Sequence, residues 1–528
     1  MWSNRVVRSP EETQLEDAMN HKIRISMAFA VGVAVCASAP LRSSAQQTPT
    51  THHHYVVVDA GTLGGPESIV YEPGVRSLNN RGTLSSCADT PNLDFNNPQN
   101  PAFGYPDGII DPYIQHSFQS KRGEIEDLGT FPSGTSSCSQ WISDSGWIAG
   151  SATNGKIDPV AGFPAINAAL WRNGQLLNLG TFGGDESLAW SVNDQGQVVG
   201  FATNTIPDQF AGAVSFGYSA TQTHAFLWQN GRMHDLGTLG GPDSDALLIN
   251  ERGQIAGISI TTIDPATQQP TVDPFLWENG KMIDLGTLGG TSGTPDVINN
   301  KGQVVGISNL AGDQTWHPFL WSNGVLRDLG TNGGSFGEAR WINDGGDAAG
   351  WATLTGDFVA HATLWKEGKI VDLGATTDLP CSYANGINNL GQVLGALQHC
   401  PDVIAGREAL LWEKGDLVNL NTLIPLGSEI VLIQAITAND RGEIVAEGRL
   451  LNGDLRAVLL IPCDENHLNV AGCDYRLVDA TPAAQVLPAQ ITQSPAASSA
   501  KLSPAELMAR FQSLTGNRHR RFGSVSPK

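Results

Sequence analysis

The residues whose chemistry stands out gather after one recurring Gly-rich exit. Glu67-Ser68, Asp185-Glu186-Ser187 and Asp243-Ser244-Asp245 each follow a turn of the form Gly-Gly or close to it. Several carboxylates on one rim offer the hard oxygen donors that Ca²⁺ takes. A carboxyl pair is also the acid–base equipment of a glycoside hydrolase. Asp185, Glu186, Asp243 and Asp245 are therefore the candidate metal ligands, with Ca²⁺ as the candidate ion and no other cofactor expected. No single loop carries the D-x-D-x-D-G series, so an ion would draw on several loops. A second set lies in the variable loops: Phe210, Phe216, Tyr218 and Trp316, near Asp208 and Asp313. Aromatic faces beside carboxylates suit a sugar or a peptide, and the same rings can instead pack their own loops. The chain has no G-x-S-x-G, H-E-x-x-H, P-loop or dinucleotide fingerprint. A site assembled from scattered loop residues would leave no such motif.

Other chemistry-bearing residues recur too regularly to be a site. Trp171, Trp228, Trp277, Trp321, Trp365 and Trp412 hold one place in a repeat, as do His224, His317 and His361. Recurrence in every unit points to packing, because each unit must bury the same face. The histidines are expected to bond backbone. The Asp of a recurring Asp-Leu-Gly becomes Asn178 and Asn419, a swap that a turn tolerates and a general acid does not. His52, His53 and His54 read as a solvated tail.

The elements that position these residues are hairpins. His224–Gly241, H-A-F-L-W-Q-N-G-R-M-H-D-L-G-T-L-G-G, is a strand, an Asn230-Gly231 turn suited to positive φ, a second strand and a Gly-rich exit. A second hairpin has an apolar residue, Asn, two polar residues and Gly before a V-V-G strand. It recurs at Asn79, Ser143 (in place of Asn), Asn193, Asn250, Asn299, Asn343, Asn388 and Asn439. The L-W strand starts at His116, Ala168, His224, Pro274, His317, His361, Glu408 and Arg456. A D-L-G strand follows all but the last. Its missing copy is Tyr55–Gly61 at the opposite end of the chain.

A unit split between the two chain ends predicts a closed ring, which removes open strand edges. The expected fold is all-β: an eight-bladed β-propeller of four-stranded blades over 55–462, with seven blades as the alternative. The I-N strand is innermost, then V-V-G, F-L-W and D-L-G. Length variation then collects on one rim, where binding commonly resides.

Composition bounds the rest. Hydrophobic residues are 40% of the chain, charged residues only 16%, and Gly numbers 60. Residues 46–480 carry 20 basic against 47 acidic side chains, a net −27, which argues against nucleic acid as a partner. Residues 1–45 read as an export signal with its start at Met19: Lys22 and Arg24, the apolar Met27–Ala39, and Ser43-Ser44-Ala45 for cleavage. The run is too short to span a membrane. Six cysteines remain, an even number that suits disulfides outside the cytoplasm. Spacing favours Cys463–Cys473 and Cys381–Cys400, leaving Cys87–Cys138. Residues 463–480 form a disulfide-linked extension. Residues 481–528 form a disordered linker with a short helix from Ser503 and a basic end.

The pair H-A-F-L-W-x-N-G-x-M-x-D-L-G-T-L-G-G and I-N-x-x-G-Q-V-V-G resembles the HAF repeat family of probable extracellular proteins. The likeness runs from about Tyr55 to Ile461 and departs from the pattern between Cys87 and Tyr113 and at Arg456–Ile461. It implies export and brings no catalytic residues. The expected function is that of a secreted or periplasmic monomer binding a protein, peptide or glycan through the variable loops. The alternative is a hydrolase or lyase acting on polysaccharide.

Overall fold

The computed structural model describes residues 52–70, 75–94, 112–158, 164–210, 221–400 and 406–475. The export signal with Met19, the 476–528 tail with its helix, Phe216 and Tyr218 lie outside the described residues.

The described chain is β-strand throughout apart from a 3-10 turn at Leu420–Thr422. Its strands form five four-stranded sheets and one of twelve. The twelve-stranded sheet is three four-stranded antiparallel sets joined by single parallel bridges, Val272 to Ser292 and Trp316 to Phe336. In chain order the sets are units 1 (68–127), 2 (137–178), 3 (187–235), 4 (244–284), 5 (289–328), 6 (333–372), 7 (381–419) and 8 (430–462 with 55–59).

Unit 3 shows how the sequence builds each set. Ser187–Val192 turns through Asn193 into Val198–Pro207, which pairs with Thr221–Gln229 and then Arg232–Asp235. Asn230 and Gly231 both have positive φ, 52° and 77°, the conformation a two-residue turn demands. The recurring Asn closes the other hairpin with its side chain. Asn250 Oδ1 accepts from the Arg252 and Gln254 amides, each at 3.0 Å.

The same amide links neighbouring units. Asn250 Nδ2 donates to the Asn299 carbonyl at 2.9 Å, Asn299 to Asn343 at 3.0 Å, and Asn343 to Asn388 at 3.2 Å. Asn388 donates to Asn439 at 3.0 Å, Asn439 returns to Asn79 at 3.1 Å, and Asn79 reaches Ser143 at 3.2 Å. Asn193 reaches Asn250 at 3.2 Å. Only the step from Ser143 to Asn193 is missing, because a hydroxymethyl group is too short. There the Ser145 amide donates to Asp194 Oδ1 at 2.6 Å instead. The chain of bonds therefore closes on itself, from unit 8 back to unit 1.

The chain ends close the cycle as the split repeat requires. Tyr55–Asp59 pairs antiparallel with Leu455–Pro462 in the place of the absent D-L-G strand. Apolar clusters straddle the seams; one holds Leu227 of unit 3 with Ile249 and Phe275 of unit 4. Trp171 Nε1 donates to the Leu128 carbonyl of the preceding unit at 3.0 Å, and Trp365 Nε1 to Gly330 at 3.2 Å. These rings are seam packing. All three disulfides join the pairs that spacing favours: Cys87–Cys138, Cys381–Cys400 and Cys463–Cys473.

Two expectations need correction. His52 is not in a solvated tail: its Nδ1 lies 2.8 Å from Glu413 Oε1. The repeat histidines bond a carboxylate rather than mainly backbone. His116, His224, His317 and His361 pair through Nδ1 with Asp127, Asp235, Asp328 and Asp372, at 2.8–3.0 Å. Each is a unit's third strand clasping its fourth. In the split unit Arg456 takes the histidine's role, with Nε 3.5 Å from Asp59 across the joined chain ends.

Candidate functional site

Antiparallel order puts the Asn turns and Asn-Gly turns on one rim. The Gly-rich exits and the long variable loops lie on the other. The exits are tight: Thr181 Oγ1 bonds the Gly184 carbonyl at 2.8 Å, and Gly183 has φ 104°. A β-carbon on Gly184 would meet Thr203 Oγ1 at 2.2 Å, so these loops cannot carry larger residues there.

On the loop rim two neighbouring seams each bring two acids together. Asp158 follows the second strand of unit 2, and Glu186 precedes the first strand of unit 3. Burial, then the charges of Asp158 and Asp185, push the Glu186 carboxyl up to about 7. One seam along, Asp208 follows the second strand of unit 3 and Asp243 precedes the first strand of unit 4. Asp243 is wholly buried and accepts the Thr223 amide at 2.8 Å. Burial, then the facing Asp208, push its carboxyl up to about 8. At the next seam Asp264 instead caps its own loop through the Ala266 amide at 2.8 Å, and Ser292 stands where Glu186 and Asp243 stand.

The four candidate metal ligands therefore divide among three environments. Asp185 is exposed, with Lys156 Nζ at 3.4 Å. Glu186 faces Asp158, and Asp243 faces Asp208. Asp245 is not a loop residue at all. It lies inside the first strand of unit 4, wholly buried, and accepts from Trp190 Nε1 at 3.0 and 3.1 Å. Among the described residues no group of three or more His, Cys, Asp or Glu is arranged to hold a metal ion.

The candidate binding residues divide similarly. Phe210 is half-buried against the apolar cluster beneath its loop. Trp316 is the first residue of a strand, 6% exposed, and tilts against Phe336 at 4.5 Å between centroids. It is a packing residue rather than a rim contact. Asp313 sits at φ 56° and accepts the Thr291 amide at 2.7 Å, so it shapes its turn. Asp208 is the member of this set that meets another candidate.

A further feature was missed in the sequence. Seven of the innermost strands carry a β-bulge three residues before the Asn position, at Gln140, Trp190, Leu247, Asp296, Arg340, Asn385 and Ile436. Bulges re-aim side chains. Arg340 Nη1 donates to Asn385 Oδ1 at 2.9 Å, and Arg340 Nε lies 3.2 Å from Glu338. The residues just after two of these bulges, Trp141 and Trp341, stack at 6.2 Å with planes 13° apart. They belong to units 2 and 6, opposite each other in the cycle, so the stack crosses its middle. The signal available was variety. The seven bulge positions carry seven different residue types.

No family model matches the chain, and no curated protein matches it. Among solved structures it is similar to the β-propeller domain of the Trilobed protease from Pyrococcus furiosus. Identity is 10% and the TM-score 0.38, over 70% of this chain and 95% of that one. It is also similar to Porphyromonas gingivalis dipeptidyl peptidase 4, at 11% identity and a TM-score of 0.39, over 76% and 59% of the two chains. TolB from Acinetobacter baumannii matches at 11% identity and 0.28, over 56% and 76%. The chain spans about three fifths of the dipeptidyl peptidase and 58% of the acylaminoacyl peptidases that it also matches. These scores are low, and the fold and site stand on the chain's own hydrogen bonds.

Proposed function

We propose that this chain is an eight-bladed β-propeller of the HAF-repeat kind, working outside the cytoplasm as a binding or scaffold module. Its partner is a protein, peptide or glycan held on the loop rim over units 2 to 4. The observation that carries this reading is the contrast between the two faces of one closed cycle. The Asn rim is committed to bonds between units, and Trp141 and Trp341 meet across the middle. What remains free to vary is the loop rim, with its acids and Phe210. The six cysteines paired as three disulfides support an oxidising compartment. The test is an array of surface polymers, peptides and secreted proteins probed with the exported chain and with a Phe210→Ala, Asp185→Ala variant. Binding that the variant loses supports the rim, and binding that it retains removes the rim from the site.

A second reading is a polysaccharide hydrolase or lyase, favoured by Glu186. A carboxyl that holds its proton to about pH 7 is in the state a general acid requires. Turnover of a polysaccharide that Glu186→Gln abolishes is the result this reading needs.

A further inference from the structure

At the seam between units 3 and 4 three buried oxygen atoms lack a hydrogen-bond partner: Asp208 Oδ2, Asp243 Oδ2 and Thr223 Oγ1. Asp243 and Thr223 are both 0% exposed. They are adjacent, since the Thr223 amide donates to Asp243 Oδ1 at 2.8 Å. The Asp208 carboxyl comes within hydrogen-bonding reach of Asp243 from the end of the preceding unit's second strand. The Asp243 carbonyl is already satisfied by Ser259 Oγ and the Ile260 amide, each at 3.0 Å, which fixes the backbone on which the carboxyl sits.

Two carboxylates in contact, the Asp243 one wholly buried and the Asp208 one partly so, do not both stay ionised unaided; either they share a proton or a cation lies between them. The unpartnered Thr223 hydroxyl decides between these. A shared proton satisfies two carboxyls and leaves that buried hydroxyl orphaned, which is unfavourable. A cation uses all three oxygens. The donor set holds no nitrogen or sulfur, and its two formal charges balance a divalent ion, the signature of Ca²⁺ rather than a softer metal. The neighbouring seam is an internal control. It has the same two acidic places, Asp158 and Glu186, but Ile166 stands where Thr223 stands, and none of these residues has an orphaned side-chain oxygen.

We propose that Asp208, Asp243 and Thr223 form a site for a hard divalent cation, Ca²⁺, that ties the variable loop of unit 3 to the first strand of unit 4. The choice of Ca²⁺ rests on the extracytoplasmic reading, whereas the site itself does not depend on any partner.

The test is calorimetric titration of the EDTA-treated exported chain with CaCl2 at pH 7. The expected result is one ion per chain. Asp208→Asn and Thr223→Ala are expected to weaken binding by about tenfold or more, while Thr223→Ser retains it. Asp264→Asn, at the following seam, is expected to leave it unchanged. Absence of Ca²⁺ uptake by the wild-type chain at millimolar ion overturns the proposal, as does unchanged affinity in Asp208→Asn. If Asp208→Asn does not fold, the Thr223→Ala and Thr223→Ser pair decides: equal affinities overturn it. A negative result here leaves the rim-binding reading intact, since that reading fails only on the array.

Discussion

Replacing Asn250 with Ala removes more than one contact. Its side chain accepts the Arg252 and Gln254 amides at 3.0 Å and donates to the Asn299 carbonyl at 2.9 Å and to Gln254 Oε1 at 2.8 Å. Asn250 is 4% exposed, so water does not replace these bonds well. Each hydrogen bond is worth about 0.5–1.5 kcal/mol net, and each buried group left unpaired costs about 1–3 kcal/mol. Partial relaxation of a hairpin turn lets some amides find water, so Asn250→Ala is expected to cost about 3 kcal/mol. The natural Ser143 calibrates a gentler change. Its Oγ accepts the Trp147 amide at 3.1 Å but forms no bond to the next unit. Asn250→Ser is therefore expected to cost about half as much, since it keeps the turn and loses the link. The assay is urea unfolding followed by tryptophan fluorescence, comparing midpoints at constant slope. A further arm tests closure itself. Asn439 makes the same bond across the chain ends, to Asn79 at 3.1 Å. Asn439→Ala should match Asn250→Ala. A loss at Asn439 below about a third of that at Asn250 would mean that the cycle is open in solution, and equal losses for Asn250→Ser and Asn250→Ala would refute the division between turn and link.

The remaining expectations follow from the same bonds. Ser143→Asn supplies the missing link to unit 3 and is expected to stabilise by about 1 kcal/mol in the same urea assay. Deleting Tyr55–Asp59 bares the Leu455–Pro462 edge and should convert the protein into an aggregating species by light scattering. The His224–Asp235 pair gives a pH window. The Asp235 hydrogen bond raises the His224 pKa above its ordinary value, outweighing the opposing effect of burial. That contribution is full below about pH 6.5 and fades as pH rises through the folded value. Burial alone would raise Asp235, but the His224 hydrogen bond, the Gly237 amide and the His224 charge outweigh it and lower its pKa. Its share is present above about pH 3.9 and lost as pH falls through the lowered value. Both groups are partly exposed, so the stability that wild type holds over Asp235→Asn should amount to a few tenths of a kcal/mol and peak near pH 5.

Turn chemistry made most of the scaffold legible. Asn230-Gly231 adopts the positive φ values that the pair implies, and the repeat broken between Tyr55 and Arg456 is rejoined by strand pairing. The site was less legible, for reasons that differ by residue. Asp245 looked like a loop acid because it follows Gly240-Gly241. The strand in fact starts at Ser244, whose Oγ accepts the Ala225 amide at 2.9 Å. The same serine recurs at Ser187, which holds the Ala168 amide at 2.9 Å, and at Ser382, which holds the Ala362 amide at 2.8 Å. Read as a strand start, that serine places Asp245 one residue inside. Trp316 misled in the opposite sense, because its strand begins one residue before His317.

The Asp208–Asp243 contact has a different status. Each residue stood out in its own loop, but nothing in the spacing of either repeat pairs them. They meet because the second strand of each unit ends beside the start of the next unit's first strand, a relation created only when units stack. That same relation exists at every seam, so the scaffold offers equivalent places that individual units can fill differently. Asp158 with Glu186, Asp208 with Asp243, and Asp264 opposite Ser292 are three fillings of one position. The Asn ladder and the strand-start serines hold the units in register whatever occupies these places. The positions where the copies disagree are therefore the places where such a scaffold can differ from unit to unit, and at the seams between units 2, 3 and 4 a buried acid meets a partly buried one.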